Sequence, residues 1–277
     1  MKFTKMHGLG NDFIMVNGFK EQLPNDLPAL AQKLCDRHFG IGADGLLLLT
    51  PHEDAAFRMS LYNADGSQAE MCGNGSCCSA IFAREQRIVR KSSFVMQTLA
   101  GPIGLELVDL PDGTPGVKVD MGEPRLEAHQ VPAAGHGRIV NQPMDIDGQT
   151  WHYTAVSMGN PHCVFFVPSA EDAPVLTVGP IVENNTTLFP KKVNVEFAQI
   201  LSANEIRMRV WERGCGETMA CGTGACATTV AAFLNNFTQR QVTVHLQGGD
   251  LQIEWALDNH VYMVGRGIKV YTGECDI

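Results

Sequence analysis

Basic charge is scarce in this 277-residue sequence: 21 Lys and Arg stand against 30 Asp and Glu, for a net charge of −9. No basic run exceeds the pairs Arg90-Lys91 and Lys191-Lys192. A nucleic-acid groove or an anionic membrane surface needs the opposite balance, so neither is expected as a partner. Long apolar runs are missing too. Stretches such as 46–49 fall far short of the roughly 20 residues that cross a bilayer, and no secretory signal is expected in the first eight residues. The nine cysteines lack the repeated C-x2-C pairs of structural zinc sites. Reduced thiols in a cytoplasmic protein are the expected state, with no metal. A cysteine-based metal or redox protein is the remote alternative.

What is present suits a globular chain: 44% apolar residues and 18% charged, enough to build real cores, in one large domain or two. Sliding the sequence against itself uncovers a repeat. The shift that lays Cys72 on Cys221 also lays Gly10-Asn11 on Gly159-Asn160, Arg58-Met59 on Arg207-Met208, Tyr62 on Trp211, Asn63 on Glu212, and Cys77 on Cys226. The expected fold class is α+β, with two pseudo-symmetric domains. Each is a mixed β-sheet curled into a barrel-like roll around a central helix, and the active site is expected in the cleft between them. Residues 1–118 with 265–277 would form the N-terminal half and 119–264 the C-terminal half, with a hairpin turn at 110–116 near the boundary.

The local pattern is the same around both cysteines. Stretches 57–62 and 206–211 alternate as strands do. The runs 76–83 and 223–237 carry no charge, which predicts helices buried on every side. Asn25 or Asp26 is expected to cap a third helix, with Leu27, Leu30, Leu34 and His38 on one face. In the second half, Pro174 is expected to break the matching stretch 170–178.

A cysteine opening a helix sits beside unpaired N–H groups and the positive end of the helix dipole, which favours thiolate. Following glycines let a carboxylate approach the same N–H groups. Two such elements point to a pair of thiols flanking one α-carbon. One would take the α-proton while the other delivers one, and the carbanion charge would be held on a carboxylate. No metal, pyridoxal, nicotinamide or other cofactor is required.

Residues 5–13 (K-M-H-G-L-G-N-D-F), 40–45 (G-I-G-A-D-G) and 63–75 (N-A-D-G-S-Q-A-E-M-C-G-N-G) carry a family likeness in the first half. In the second, 157–162 (S-M-G-N-P-H), 193–195 (V-N-V) and 211–224 (W-E-R-G-C-G-E-T-M-A-C-G-T-G) do so. On these motifs the chain resembles the diaminopimelate epimerase family along nearly its whole length. The resemblance implies an isomerase of lysine and cell-wall precursor biosynthesis that interconverts LL- and meso-diaminopimelate. It implies Cys72 and Cys221 as the catalytic bases and backbone N–H groups of Gly73, Asn74, Gly222 and Thr223 on the reacting carboxylate. Asn11 would lie near the reacting amino group. Asn63, Asn160, Asn194, Glu212 and Arg213 would grip the distal amino-acid end, with Arg213 as a planar fork on a carboxylate. His162 and Glu212 would tune the cysteines.

Plainer readings stand beside these: Asn11 and Asn160 as turn residues, His162 as a structural histidine, and Glu212-Arg213 as a solvated strand end. Cys35, Cys78, Cys163, Cys215 and Cys275 read as filler. The family usually places Arg where this chain has Cys77, which would offer Cys72 an oxidation partner. A racemase of another amino acid on the same fold is the alternative function. A homodimer is expected, with Tyr271 and the C-terminal strand as interface elements.

Overall fold

The computed structural model describes residues 1–276, so Ile277 of the expected C-terminal return lies outside the described residues. The chain divides into two compact units: Met1–Asp120 joined by the return from Val264, and Met121–Met263.

In unit 1 the strands are β1 (Lys2–Gly8), β2 (Asn11–Asn17), β3 (Gly45–Thr50), β4 (Phe57–Asn63), β5 (Gln68–Ala69), β6 (Ser93–Thr98), β7 (Gly101–Asp109) and β8 (Pro115–Asp120). Helix α1 (Leu27–Cys35) crosses from β2 to the parallel β3, and α2 (Gly73–Glu85) lies between β5 and β6. The turn joining β7 and β8 closes with Leu110 N–H donating to Thr114 O.

Unit 2 uses the same order. Its strands are β9 (Gln142–Ile146), β10 (Gln149–Ser157), β11 (Pro161–Phe166), β12 (Asn194–Ser202), β13 (Glu205–Glu212), β14 (Gly216–Thr218), β15 (Gln241–Leu246), β16 (Gly249–Trp255) and the first part of β17 (Val261–Gly265), whose last two residues begin the return to unit 1. Helix α3 (Val175–Glu183) leads into β12 and α4 (Gly222–Leu234) into β15. The last strand, β18 (Ile268–Glu274), pairs antiparallel with β1 as β9 pairs with β10. Both units then repeat one sequence of pairings: antiparallel, parallel, antiparallel, parallel, antiparallel.

Helix α2 touches β1, β2, β3, β4, β7 and β8, and α4 touches β10, β11, β12, β13, β15 and β16. A helix reaching strands all along its sheet has the sheet curled around it, as the charge-free sequences demand. Phe82 and Ala80 of α2 and Val230 and Ala231 of α4 are buried. The other two helices pack on the outer faces. Leu30, Ala31 and Leu34 of α1 join Phe3, Ile14, Leu46 and Leu48, while Val175, Val178 and Val182 of α3 join Phe165, Phe189 and Phe197.

Asp26 caps α1 by accepting from Ala29 N–H at 3.0 Å. His38 falls beyond the end of α1 and is exposed, so it is no part of the packed face. Pro174 does not break its helix. It occupies the N-cap of α3, which starts at the next residue and carries Pro180 inside it. A proline is tolerated at a helix start because the N–H it lacks would have no helical partner there.

Candidate active site

Each strand-to-helix turn places a cysteine at a helix N-cap. Cys72 caps α2 in an extended conformation, and its sulfur accepts from Gly75 N–H at 3.3 Å. Cys221 caps α4 in the same conformation, accepting from Gly224 N–H at 3.4 Å. The sulfur takes the place usually held by a Ser or Asp oxygen. Gly73 and Asn74, and likewise Gly222 and Thr223, occupy the first helical turn, where N–H groups have no partner within the helix and are suited to receive an anion.

In unit 1, Cys72 Sγ donates to Asn11 Oδ1 at 3.7 Å. Asn11 opens β2 opposite Gly8, directly after Leu9 (φ 54°) and Gly10 (φ 88°). The tight mirror-image hairpin turn needs positive φ at both central residues. Asn11 is therefore a strand residue aimed by the turn before it. Its amide donates to Asp44 Oδ2 at 2.8 Å, which fixes the oxygen toward sulfur because a carboxylate only accepts.

Asp44 belongs to a network the sequence reading missed. Arg37 donates to Asp12 Oδ1 at 2.8 Å and to Asp44 Oδ1 at 2.9 Å, and Lys5 Nζ pairs with Asp12 at 2.6 Å. Burial alone would raise the Asp12 carboxyl, but Arg37 and Lys5 outweigh it and hold it at about 2. The signal was in the K-M-H-G-L-G-N-D and G-A-D-G motifs, whose charged members had no role assigned. Asn63 lies at the exposed end of β4, donating to Ser67 Oγ at 3.0 Å.

In unit 2, Cys221 Sγ lies 3.5 Å from Thr223 Oγ1, and Asn160 Nδ2 donates to that hydroxyl at 3.2 Å. Asn160 Oδ1 faces His162 Nε2 at 3.0 Å, and His162 Nδ1 meets Glu196 Oε1 at 2.6 Å, with both partners wholly buried. Burial pushes the Cys221 thiol well above its ordinary value, and the carboxylates of Glu212 and Glu196 push the same way, while the Thr223 hydrogen bond opposes them. Glu212 accepts from Thr218 Oγ1. Asn194 is buried and holds backbone: its amide donates to Pro161 O at 2.9 Å and its oxygen accepts from Arg213 N–H at 2.9 Å. Arg213 is exposed and donates to Lys191 O at 3.0 Å. Glu196 was also missed; the repeat could have flagged it, because its counterpart in the first half is Leu47.

Cys77 is buried in α2, and that burial pushes its thiol up to about 12. Its neighbourhood is tight, since a Cβ on Gly267 would stand 2.8 Å from Cys77 O.

The sequence model of diaminopimelate epimerase matches residues 3–127 and 154–274. The chain belongs to the diaminopimelate epimerase family. A diaminopimelate epimerase of Moorella thermoacetica is 54% identical over 276 residues, covering 99% of each chain. One of Pelotomaculum thermopropionicum is 53% identical, covering 99% of this chain and 98% of the relative. Among solved structures, a Bacillus anthracis phenazine biosynthesis protein of the PhzF family superposes with a TM-score of 0.74 at 14% identity, over 100% of this chain and 99% of that one. A hydroxyproline epimerase from Agrobacterium vitis gives 0.72 at 13%, over 99% and 91%. These distant likenesses establish the fold. No helix among the described residues is long and apolar enough to cross a membrane.

Proposed function

We propose that this member of the diaminopimelate epimerase family interconverts LL- and meso-diaminopimelate, using Cys72 and Cys221 as its two acid/base groups. The observation that carries the reading is the twice-built N-cap cysteine, each sulfur accepting from the N–H three residues on. In the reaction one thiolate takes the α-proton, and the Cα–H electron pair passes into the substrate carboxylate. The other thiol delivers its proton to the opposite face of the same carbon. First-turn N–H groups at Gly73, Asn74, Gly222 and Thr223 stabilise the charge that develops. The sulfurs must hold opposite protonation states, so they titrate as a pair.

On the family motifs, Arg213 and Glu212 are assigned to the distal end of the substrate together with Asn63, Asn160 and Asn194, and Asn11 to the reacting amino group. An amino acid without a second charged end would leave Arg213 and Glu212 without counterparts, which disfavours a proline-type racemase. Cys72→Ala and Cys221→Ala should each lower turnover of LL-diaminopimelate by roughly 10²–10⁴-fold, the usual contribution of a positioned acid or base. Turnover in heavy water should place deuterium at the inverted centre alone. Epimerisation at the wild-type rate in either variant, unlabelled product, or faster turnover of proline would overturn the reading.

We infer further that the protein acts in the cytoplasm, where its nine thiols stay reduced, and that it forms a homodimer. Strand β18 pairs β1 yet leaves Ile268, Val270 and Tyr271 exposed, an apolar strand surface that a second copy would cover. Light scattering should return about twice the 30.1 kDa chain mass, and the single-chain mass would refute the dimer.

A further inference from the structure

The two halves of the repeat differ beneath their cysteines. In unit 1 the positions under the α2 turn are apolar: a Cβ on Gly75 would meet Leu47 Cδ1 at 3.2 Å. In unit 2 the matching contact is a carboxylate, with a Cβ on Gly224 only 2.8 Å from Glu196 Oε1. Phe13 and Leu47 of one half stand where His162 and Glu196 stand in the other. A wholly buried acid on a core strand costs stability, so its retention calls for a reason.

That reason is visible in the hydrogen bonds. Glu196 Oε1 holds His162 Nδ1 at 2.6 Å. The ring so placed turns Nε2 to Asn160 Oδ1 at 3.0 Å, and this directs Asn160 Nδ2 to Thr223 Oγ1 at 3.2 Å. Thr223 Oγ1 lies 3.5 Å from Cys221 Sγ. The run of partners leads from a buried carboxylate to a reacting sulfur without a gap. The charged and titratable groups facing Glu196 are His162 and Cys163 from β11, Glu212 from β13 and Cys221 from α4. Among the described residues Glu196 Oε2 has no hydrogen-bond partner, so the carboxylate is committed through one oxygen, to His162.

We propose that Glu196 is a positioning residue for Cys221, acting through His162, Asn160 and Thr223 to set the threonine hydroxyl against the sulfur. The proposal rests on the reading of Cys221 as a reacting thiol. Its action is mainly geometric. The carboxylate's charge also reaches Cys221 and opposes thiolate, but the adjacent imidazole pairs with it, so the placement of the hydroxyl is the larger effect. Cys72 is set by the separate Asn11–Asp44 contact and is independent of Glu196.

The test alkylates the resting full-length protein with iodoacetamide at fixed pH and follows Cys221 and Cys72 separately by peptide mass spectrometry. Thr223→Val removes the hydroxyl that favours thiolate, and Cys221 alkylation should slow by roughly tenfold or more. Glu196→Leu, which installs the residue found at the matching place in unit 1, should slow Cys221 to a similar degree. The double variant should be no slower than Thr223→Val alone, because partners in one network are not additive. Glu196→Gln and Thr223→Ser, which keep the hydrogen bonds, should restore the wild-type rate. Cys72 should react alike in every variant.

Faster Cys221 alkylation in Glu196→Leu would mean that the carboxylate acts by its charge and would overturn the proposal. So would additive losses in the double variant, or a Gln variant as slow as the Leu variant. Because no substrate is present, the result stands apart from the test of epimerase activity. A wild-type protein inert toward diaminopimelate would defeat the functional reading while leaving this coupling measurable.

Discussion

Asp12 illustrates how one side chain ties stability to the candidate site. It sits beside Asn11, and its carboxyl is held at about 2 by Arg37 and Lys5 against the contrary pull of burial. A depressed carboxyl stabilises the fold above its unfolded value, near 4, and that contribution fades as the pH falls toward 2. Asp12→Asn should lower the urea midpoint at neutral pH by an amount equivalent to roughly 1–2 kcal/mol. The gap between wild type and variant should shrink below about pH 4, and a gap independent of pH would show that the ion pairs contribute nothing. The sequence revealed Asn11 and Cys72 as types and spacings. It marked Asp44 within the G-A-D-G motif but not as the group that orients the Asn11 amide, because that contact joins two crossover-separated segments. The plain turn reading of Asn11 fails for a similar reason: the turn residues are Leu9 and Gly10. Asn160, in contrast, does lie in the β10–β11 loop, between the paired Ser157 and Pro161.

At the scale of elements, periodicity was most readable where burial was extreme. The charge-free runs after each cysteine became the buried bodies of α2 and α4. Strands β4 and β13 follow their alternation, exposing Arg58 and Arg207 while burying Met59 and Met208. Proline misled at α3 because the residue can end or begin a helix, and only the packing of Val175, Val178 and Val182 chose the second. The α1 face stopped short of His38 because Asp36 ends the helix, its Oδ1 accepting from His38 N–H and Phe39 N–H at 2.7 Å. An acidic side chain that satisfies backbone donors beyond the last turn competes with helix continuation.

For the whole molecule, duplication sets the plan, and connectivity makes the halves unequal. Met121–Met263 is one continuous stretch with its own core, whereas unit 1 needs the return from Val264 to pair β18 with β1. A fragment of residues 121–263 should therefore unfold cooperatively in urea when followed by circular dichroism. A fragment of residues 1–120 should not, because β1 keeps β2 but lacks β18 and presents an open edge. A cooperative transition in the shorter fragment would refute this dependence. The sequence alone determined the repeat, the two buried helices and the cysteines that open them, because glycine, cysteine and uncharged runs act through local backbone freedom and burial. Tertiary structure decided which partners surround each sulfur. Those partners, Asp44 beside Asn11 and Glu196 behind His162, arrive from distant strands, and contacts of that range depend on how the sheet curls rather than on any local pattern.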